Sequence, residues 1–239
     1  MRRWLDNILE RVRPHAVDDR AANDYGDSGT SFAVDSSPAK TSNTDDDPFE
    51  EYHYIAQKIR DAKFISQPFP HLLIENFLSD EHFEMLIKDR QVNLPEMAST
   101  AEVIDTLQDV GYVIQKFPGC ITDKDEYLRC LEQNDWAVNR NKVGSVGLAF
   151  RLQRYSNPKV QRLVEYMNSP LFKSAMEDKF NIKQPTKILT AIQKYLTGYE
   201  ISPHPDTRQK CLTYLVNINT SNDAQSMELH THLLRFTPE

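Results

Sequence analysis

An α+β fold is predicted, on three observations. Apolar residues recur at helical spacing in segments between Phe49 and Phe180, β-forming residues take over from Ile188 onward, and polar breakers separate the segments. Helices first and strands afterwards place the sheet in the C-terminal part of the chain. With 239 residues, 39% hydrophobic and 26% charged, the chain has the make-up of one globular domain diluted by a polar appendage. That average excludes membrane-spanning and collagenous classes.

Residues 1–13 place Trp4, Leu5, Ile8, Leu9 and Val12 at i, i+3, i+4 spacing among arginines and acids, which predicts a short amphipathic helix that docks on its own or a partner's surface. It lacks the continuous apolar stretch of a secretory signal. Residues 14–48 are Asp, Ser, Ala, Thr and Asn with almost no large apolar side chain, so a disordered acidic linker is predicted. The run Asp45-Asp46-Asp47 at its end is read as a solvated charge run. Residues 49–239 form the ordered domain.

Within that domain, Tyr52, Ile55, Ala56 and Ile59 share one helical face. Residues 69–76 read as a short strand, and Ser79 caps a helix over 80–88 with Asp80 and Glu81 in its first turn. Residues 91–150 carry only weak periodicity, with a turn at 117–120. Two helices, 160–166 and 171–180, are split by Asn168-Ser169-Pro170. Strands are predicted at 188–195, 212–218 and 229–236, with a turn at 219–223.

The net charge is −7, but residues 1–50 hold 6 Lys and Arg against 11 Asp and Glu, leaving 22 against 24 elsewhere. A nearly neutral domain has no basic stripe for a phosphate backbone, so a protein or small-molecule substrate is expected rather than nucleic acid. Cys120, Cys130 and Cys211 are too few and too scattered for a disulfide framework or a CxxC zinc site, and a reducing, cytoplasmic setting is expected. Cys211 is expected to be a buried thiol, and His71 and His82 ordinary structural or surface histidines.

His204-Pro-Asp206 is the chemically pointed feature. In extended chain, residues i and i+2 face the same way, so imidazole and carboxylate can reach one ion. Two such donors make two-thirds of a 2-His-1-carboxylate set, which suits Fe(II) because it leaves coordination positions open. A surface His beside an Asp is the plainer reading of the tripeptide taken alone.

The surrounding residues extend the pattern. The stretch 195–208, YLTGYEISPHPDTR, with the Leu- and Tyr-rich 211–219 after it, resembles the core of the Fe(II)- and 2-oxoglutarate-dependent oxygenases, in particular the prolyl-4-hydroxylase-like branch. There a Tyr nine positions before the first metal His and an intervening Gly, here Tyr195 and Gly198, are typical. Residues 68–79, PFPHLLIENFLS, are similar to the opening of many such domains, and 167–174, MNSPLFKS, to a helix of theirs. The resemblance spans residues 67–239. It implies a partial or complete double-stranded β-helix, or jelly roll, with supporting N-terminal helices. It also implies that His204 and Asp206 are iron ligands and that Tyr195 hydrogen-bonds 2-oxoglutarate, with Arg208 a bystander. The implied chemistry uses dioxygen to convert the keto acid to succinate while a C–H bond of a peptidyl side chain or small metabolite is hydroxylated.

The family's second metal His and its 2-oxoglutarate cation lie on a much later strand, whereas 33 residues follow Asp206. Residues 228–236, ELHTHLLRF, resemble a middle strand of the family. Two expectations follow. Either the barrel stops short of its distal ligand, leaving a non-catalytic interaction module that docks through residues 1–13, or His230 or His232 is the third ligand and Arg235 the cation of a contracted site.

Overall fold

A computed structural model of the chain describes residues 7–11, 47–116, 121–136, 145–201 and 210–219; for 7–11, 145–146 and 201 the description is of the backbone. The fold is α+β. After a 3-10 turn at Glu50–Tyr52, helices α1 (His53–Asp61), α2 (Asp80–Ile87), α3 (Thr100–Asp109) and α4 (Lys124–Gln133) are followed by α5 (Pro158–Met167) and α6 (Pro170–Phe180). The strands are β1 (Asn7–Arg11), β2 (Tyr112–Ile114), β3 (Ser145–Val146), β4 (Ala149–Leu152), β5 (Gln193–Tyr195), β6 (Glu200–Ile201) and β7 (Leu212–Val216). Among the described residues no helix is long and apolar enough to cross a membrane.

Local chemistry sets the helix starts. Ser79 Oγ accepts the His82 amide at 3.2 Å, Ser99 Oγ accepts that of Glu102 at 3.2 Å, and Asp123 Oδ1 accepts that of Glu126 at 2.8 Å. Asn157 and Ser169 cap α5 and α6, each followed by a proline at the first helical position, where a missing N–H costs nothing. Asn134 and Asn181, at φ 48° and 52°, end α4 and α6 in the left-handed conformation that Asn tolerates.

Two hydrophobic cores result. The first packs Tyr52, Ile55 and Ile59 of α1 against Phe172 and Phe180 of α6 and Leu163 and Tyr166 of α5, with Leu212, Tyr214 and Val216 of β7 on its edge. The second packs Ile104 and Leu107 of α3 and Tyr127 and Cys130 of α4 against Tyr112, Phe150 and Leu152 of the sheet. Each fully buried side chain of this size contributes about 1.5–3 kcal/mol.

The sheet is small and antiparallel, ordered β2-β4-β5. Its register pairs Val113 with Arg151 and Arg151 with Gln193, then Ala149 with Tyr195. Strands β3 and β6 pair separately, as do β1 and β7. The sheet is thus not purely C-terminal: its first two strands come from the weakly periodic stretch, where three or four residues are too short to show a period of two.

Three further expectations are corrected. Residues 7–11, read within a helix over 1–13, form a strand on the edge of β7; the rest of 1–13 lies outside the described residues. A helix of that length is marginal in isolation, and a free strand edge offers a full row of backbone partners instead. Residues 69–76 form no strand: His71 and Leu73 make only isolated bridges, that of His71 to Ile65, Pro68 and Pro70 lack amide donors, and Asn76 turns the chain at φ 49°. The strand over 188–195 begins only at Gln193. Of the predicted linker 14–48, residues 14–46 lie outside the described residues, as do the turn at 117–120 and the strand at 229–236.

Candidate functional site

In sequence the H-x-D segment falls between β6 and β7. His204 and Asp206 lie outside the described residues, as do His230, His232 and Arg235. What the structure brings together is the frame from which the segment leaves. Tyr195 ends β5, Gly198 turns the chain at φ 79°, and Glu200–Ile201 pair with β3 before the segment begins. Lys210 follows it, and β7 starts at Leu212.

This turn is held from several sides. Leu196 donates its amide to the Leu148 carbonyl at 3.1 Å, and the Tyr199 amide closes the turn on Leu196 O at 3.0 Å. Tyr127, buried in the second core, donates its phenol to Thr197 O at 2.9 Å. Burial pushes that phenol up to about 12, because the phenolate would lose its water. Gly147, at φ 83° between β3 and β4, lies against the backbone of Gly198 and Tyr199, so the two glycine turns nest.

Tyr195 is 49% exposed, its ring stacked on that of Tyr199 at 4.2 Å between centroids and 22° between planes. Its hydroxyl donates to Gln193 Oε1 at 2.5 Å. The alternation of β5 sends Lys194 to the opposite face, where its ammonium donates to the Val92 carbonyl at 2.5 Å. Burial holds the Lys194 ammonium below the ordinary lysine range, since no carboxylate offsets the lost solvation there.

Sequence reasoning missed three residues that build this region. Arg151 on β4 stands directly across from Gln193, on the face that Tyr195 shares. Gln91 is a buried hub: its side-chain amide donates to Val110 O and to Arg154 O at 2.7 Å, and its oxygen accepts the Ser156 amide at 2.7 Å and hydroxyl at 2.8 Å. Trp136 covers Gly198. An isolated Arg, Gln or Trp in weakly periodic sequence gives no local signal of such roles.

Among the described residues, His71, His82, Cys130 and Cys211 take places in the fold. His82 is buried between the rings of Tyr52 and Tyr54, with Nδ1 2.9 Å from the Tyr54 hydroxyl, and His71 Nδ1 lies 2.8 Å from the Phe69 carbonyl. Cys130 is buried, whereas Cys211, expected to be buried, is only partly so. Among the described residues no group of three His, Cys, Asp or Glu side chains is placed to hold a metal ion. Two shallow hollows of about 350 and 390 Å³ lie along the helices, lined by residues such as Tyr54, Arg60, Phe64 and Lys179 rather than by β5.

No protein-family model matches the chain, and no curated protein or solved structure matches it.

Proposed function

We propose that the chain is an Fe(II)- and 2-oxoglutarate-dependent dioxygenase of the prolyl-4-hydroxylase-like type, built on a double-stranded β-helix, that hydroxylates a peptidyl side chain or a small metabolite in a reducing, cytoplasmic setting. The observation that carries this reading is the order Tyr195, Gly198, His204-Pro-Asp206 and then β7, with the tyrosine at a strand end and the glycine at a turn.

The donor set fits the metal by its chemistry. An imidazole and a carboxylate two residues apart suit Fe(II), and His204 and Asp206 would hold it, with His230 or His232 as the third ligand. When bound, iron with 2-oxoglutarate and dioxygen supplies the oxidising power for C–H hydroxylation, yielding succinate and carbon dioxide.

The chain's own residues bind and orient the keto acid. The Tyr195 hydroxyl already serves as a donor, to the neutral Gln193 carboxamide, on a part-open face. Exchanging that acceptor for a carboxylate makes a charge-assisted bond, roughly twice as strong as a neutral one. Stacking on Tyr199 fixes the phenol's direction, so little rotamer entropy is lost on binding. Arg235 is the candidate cation of a contracted site.

The rival reading is a non-catalytic module docking through a helix over residues 1–13. It loses its premise over Asn7–Arg11, which are a strand. Anaerobic Fe(II) titration with and without 2-oxoglutarate decides between the two. A metal-to-ligand charge-transfer band that appears in the wild type and vanishes in His204→Ala is expected; a folded protein with no band overturns the reading.

A further inference from the structure

One face of the β2-β4-β5 sheet holds Arg151 in an unusual setting. Register places Val113, Arg151 and Gln193 in a row across the three strands, with Tyr195 beside Gln193. Phe150 and Leu152 point the other way, into the second core, and Arg151 therefore points out of it. The row is partly open to solvent, Val113 being 37% and Tyr195 49% exposed.

Arg151 is nevertheless half-buried, and its Nε is shielded from solvent with no hydrogen-bond acceptor. Among the described residues it has no ion pair with a carboxylate. Its charge is felt by the Tyr155 phenol, whose ionisation it favours against the burial that opposes it. Leaving a buried guanidinium donor without an acceptor is unfavourable, and native structures rarely tolerate it without a reason. Gln193 adds a second donor. Its oxygen accepts the Tyr195 hydroxyl, and the other end of the carboxamide is an N–H donor.

We propose that Arg151 and Gln193 form a binding site for a small carboxylate ligand, independent of any metal. A planar guanidinium matches a carboxylate in bidentate fashion, and a neighbouring amide N–H completes the acceptor capacity of the oxygens. Among the described residues of this row Arg151 is the cation, since Lys194 lies on the opposite side and Val113, Ala149, Gln193 and Tyr195 are neutral. The Tyr195 ring and Val113 flank the donors with apolar surface, which suits a ligand with a short carbon chain, such as a C4 or C5 dicarboxylic acid. Tyr195 borders both this site and the proposed keto-acid site.

The test is isothermal titration calorimetry of the full chain in EDTA with succinate and with 2-oxoglutarate, at constant ionic strength, with sulfate as the generic-anion control. Saturable binding of the dicarboxylates over sulfate is expected, weakened at least tenfold in Arg151→Gln and less than twofold in Arg154→Gln, a matched loss of charge nearby. Near-UV circular dichroism verifies the fold. Should Arg151→Gln not fold, Arg151→Lys and Gln193→Leu take its place, each expected to weaken binding about fivefold or more. Absence of saturable binding in the wild type, or binding that all these variants leave unchanged, overturns the proposal. The metal reading fails separately. Arg151-dependent binding in EDTA alongside no iron charge-transfer band supports this site and dismisses only the metal centre, whereas a band with Arg151-insensitive binding dismisses only this site.

Discussion

Gly198 packs its α-carbon directly against the indole of Trp136: a methyl group added there would lie 2.5 Å from Cζ2 and 2.8 Å from Cε2. Two constraints coincide at this position, because φ of 79° is also a conformation that side chains rarely adopt. Gly198→Ala is therefore expected to cost about 2–4 kcal/mol from overpacking and backbone strain together. In a double-mutant cycle with Trp136→Ala, the alanine at 198 should recover the packing part of its cost and keep the conformational part. Urea unfolding of the four proteins measures both; strict additivity would mean that the indole is not the obstacle.

Gln91→Leu removes four hydrogen bonds at once and leaves the Val110 and Arg154 carbonyls and the Ser156 amide without their side-chain partner. An unsatisfied buried group costs about 1–3 kcal/mol, so a loss of about 3 kcal/mol or more is expected. Chemical denaturation monitored by tryptophan fluorescence tests this, and a loss under 1 kcal/mol would show that water replaces the side chain.

Alkaline pH should destabilise the second core. The Tyr127 phenol is raised from 10.0 to about 12, so the unfolded chain gives up this proton before the folded one does. The stability it contributes is fully present below pH 10 and is lost between about pH 10 and 12. Tyr127→Phe should flatten the decline in the denaturant midpoint over that window, at the expense of about 1 kcal/mol at neutral pH for the lost bond to Thr197.

Lys194 gives the opposite sign. Its folded pKa is depressed by burial, so the unfolded chain holds the proton more tightly and stability rises with pH from the folded value towards the lysine's ordinary 10.5. Lys194→Met keeps the stem's volume and removes the buried charge. It is expected to raise the urea midpoint at pH 7, with the gain shrinking as the pH approaches 10.5. A gain that is constant with pH would assign the effect to packing alone.

The helices were legible because their signals are local. Ser79 and the Ser169-Pro170 pair mark helix starts through groups two or three residues away, and the apolar spacing of Tyr52, Ile55 and Ile59 needs no knowledge of α6 to be read. The sheet was not legible to the same degree, because β2 and β4 are defined by each other and by β5, some forty residues beyond. Residues 7–11 show the same limit: their helical spacing is genuine, yet their partner is at 212–216. At the candidate site, Tyr195 and Gly198 could be read as a strand end and a turn. Arg151 and Gln91 could not, because what distinguishes them is the register of a neighbouring strand and the direction of distant carbonyls.

The ladder between β1 and β7 also has a mechanical meaning. It is antiparallel, with Asn7 opposite Val216 and Arg11 opposite Leu212, so the outer ends of the two strands lie together. Tension applied between residues 7 and 216 would load the Asn7–Val216 pair first and open the ladder like a zipper, one pair at a time, rather than shear all its bonds at once. The strand edge that follows the His204–Asp206 segment in sequence would thereby be bared one residue pair at a time.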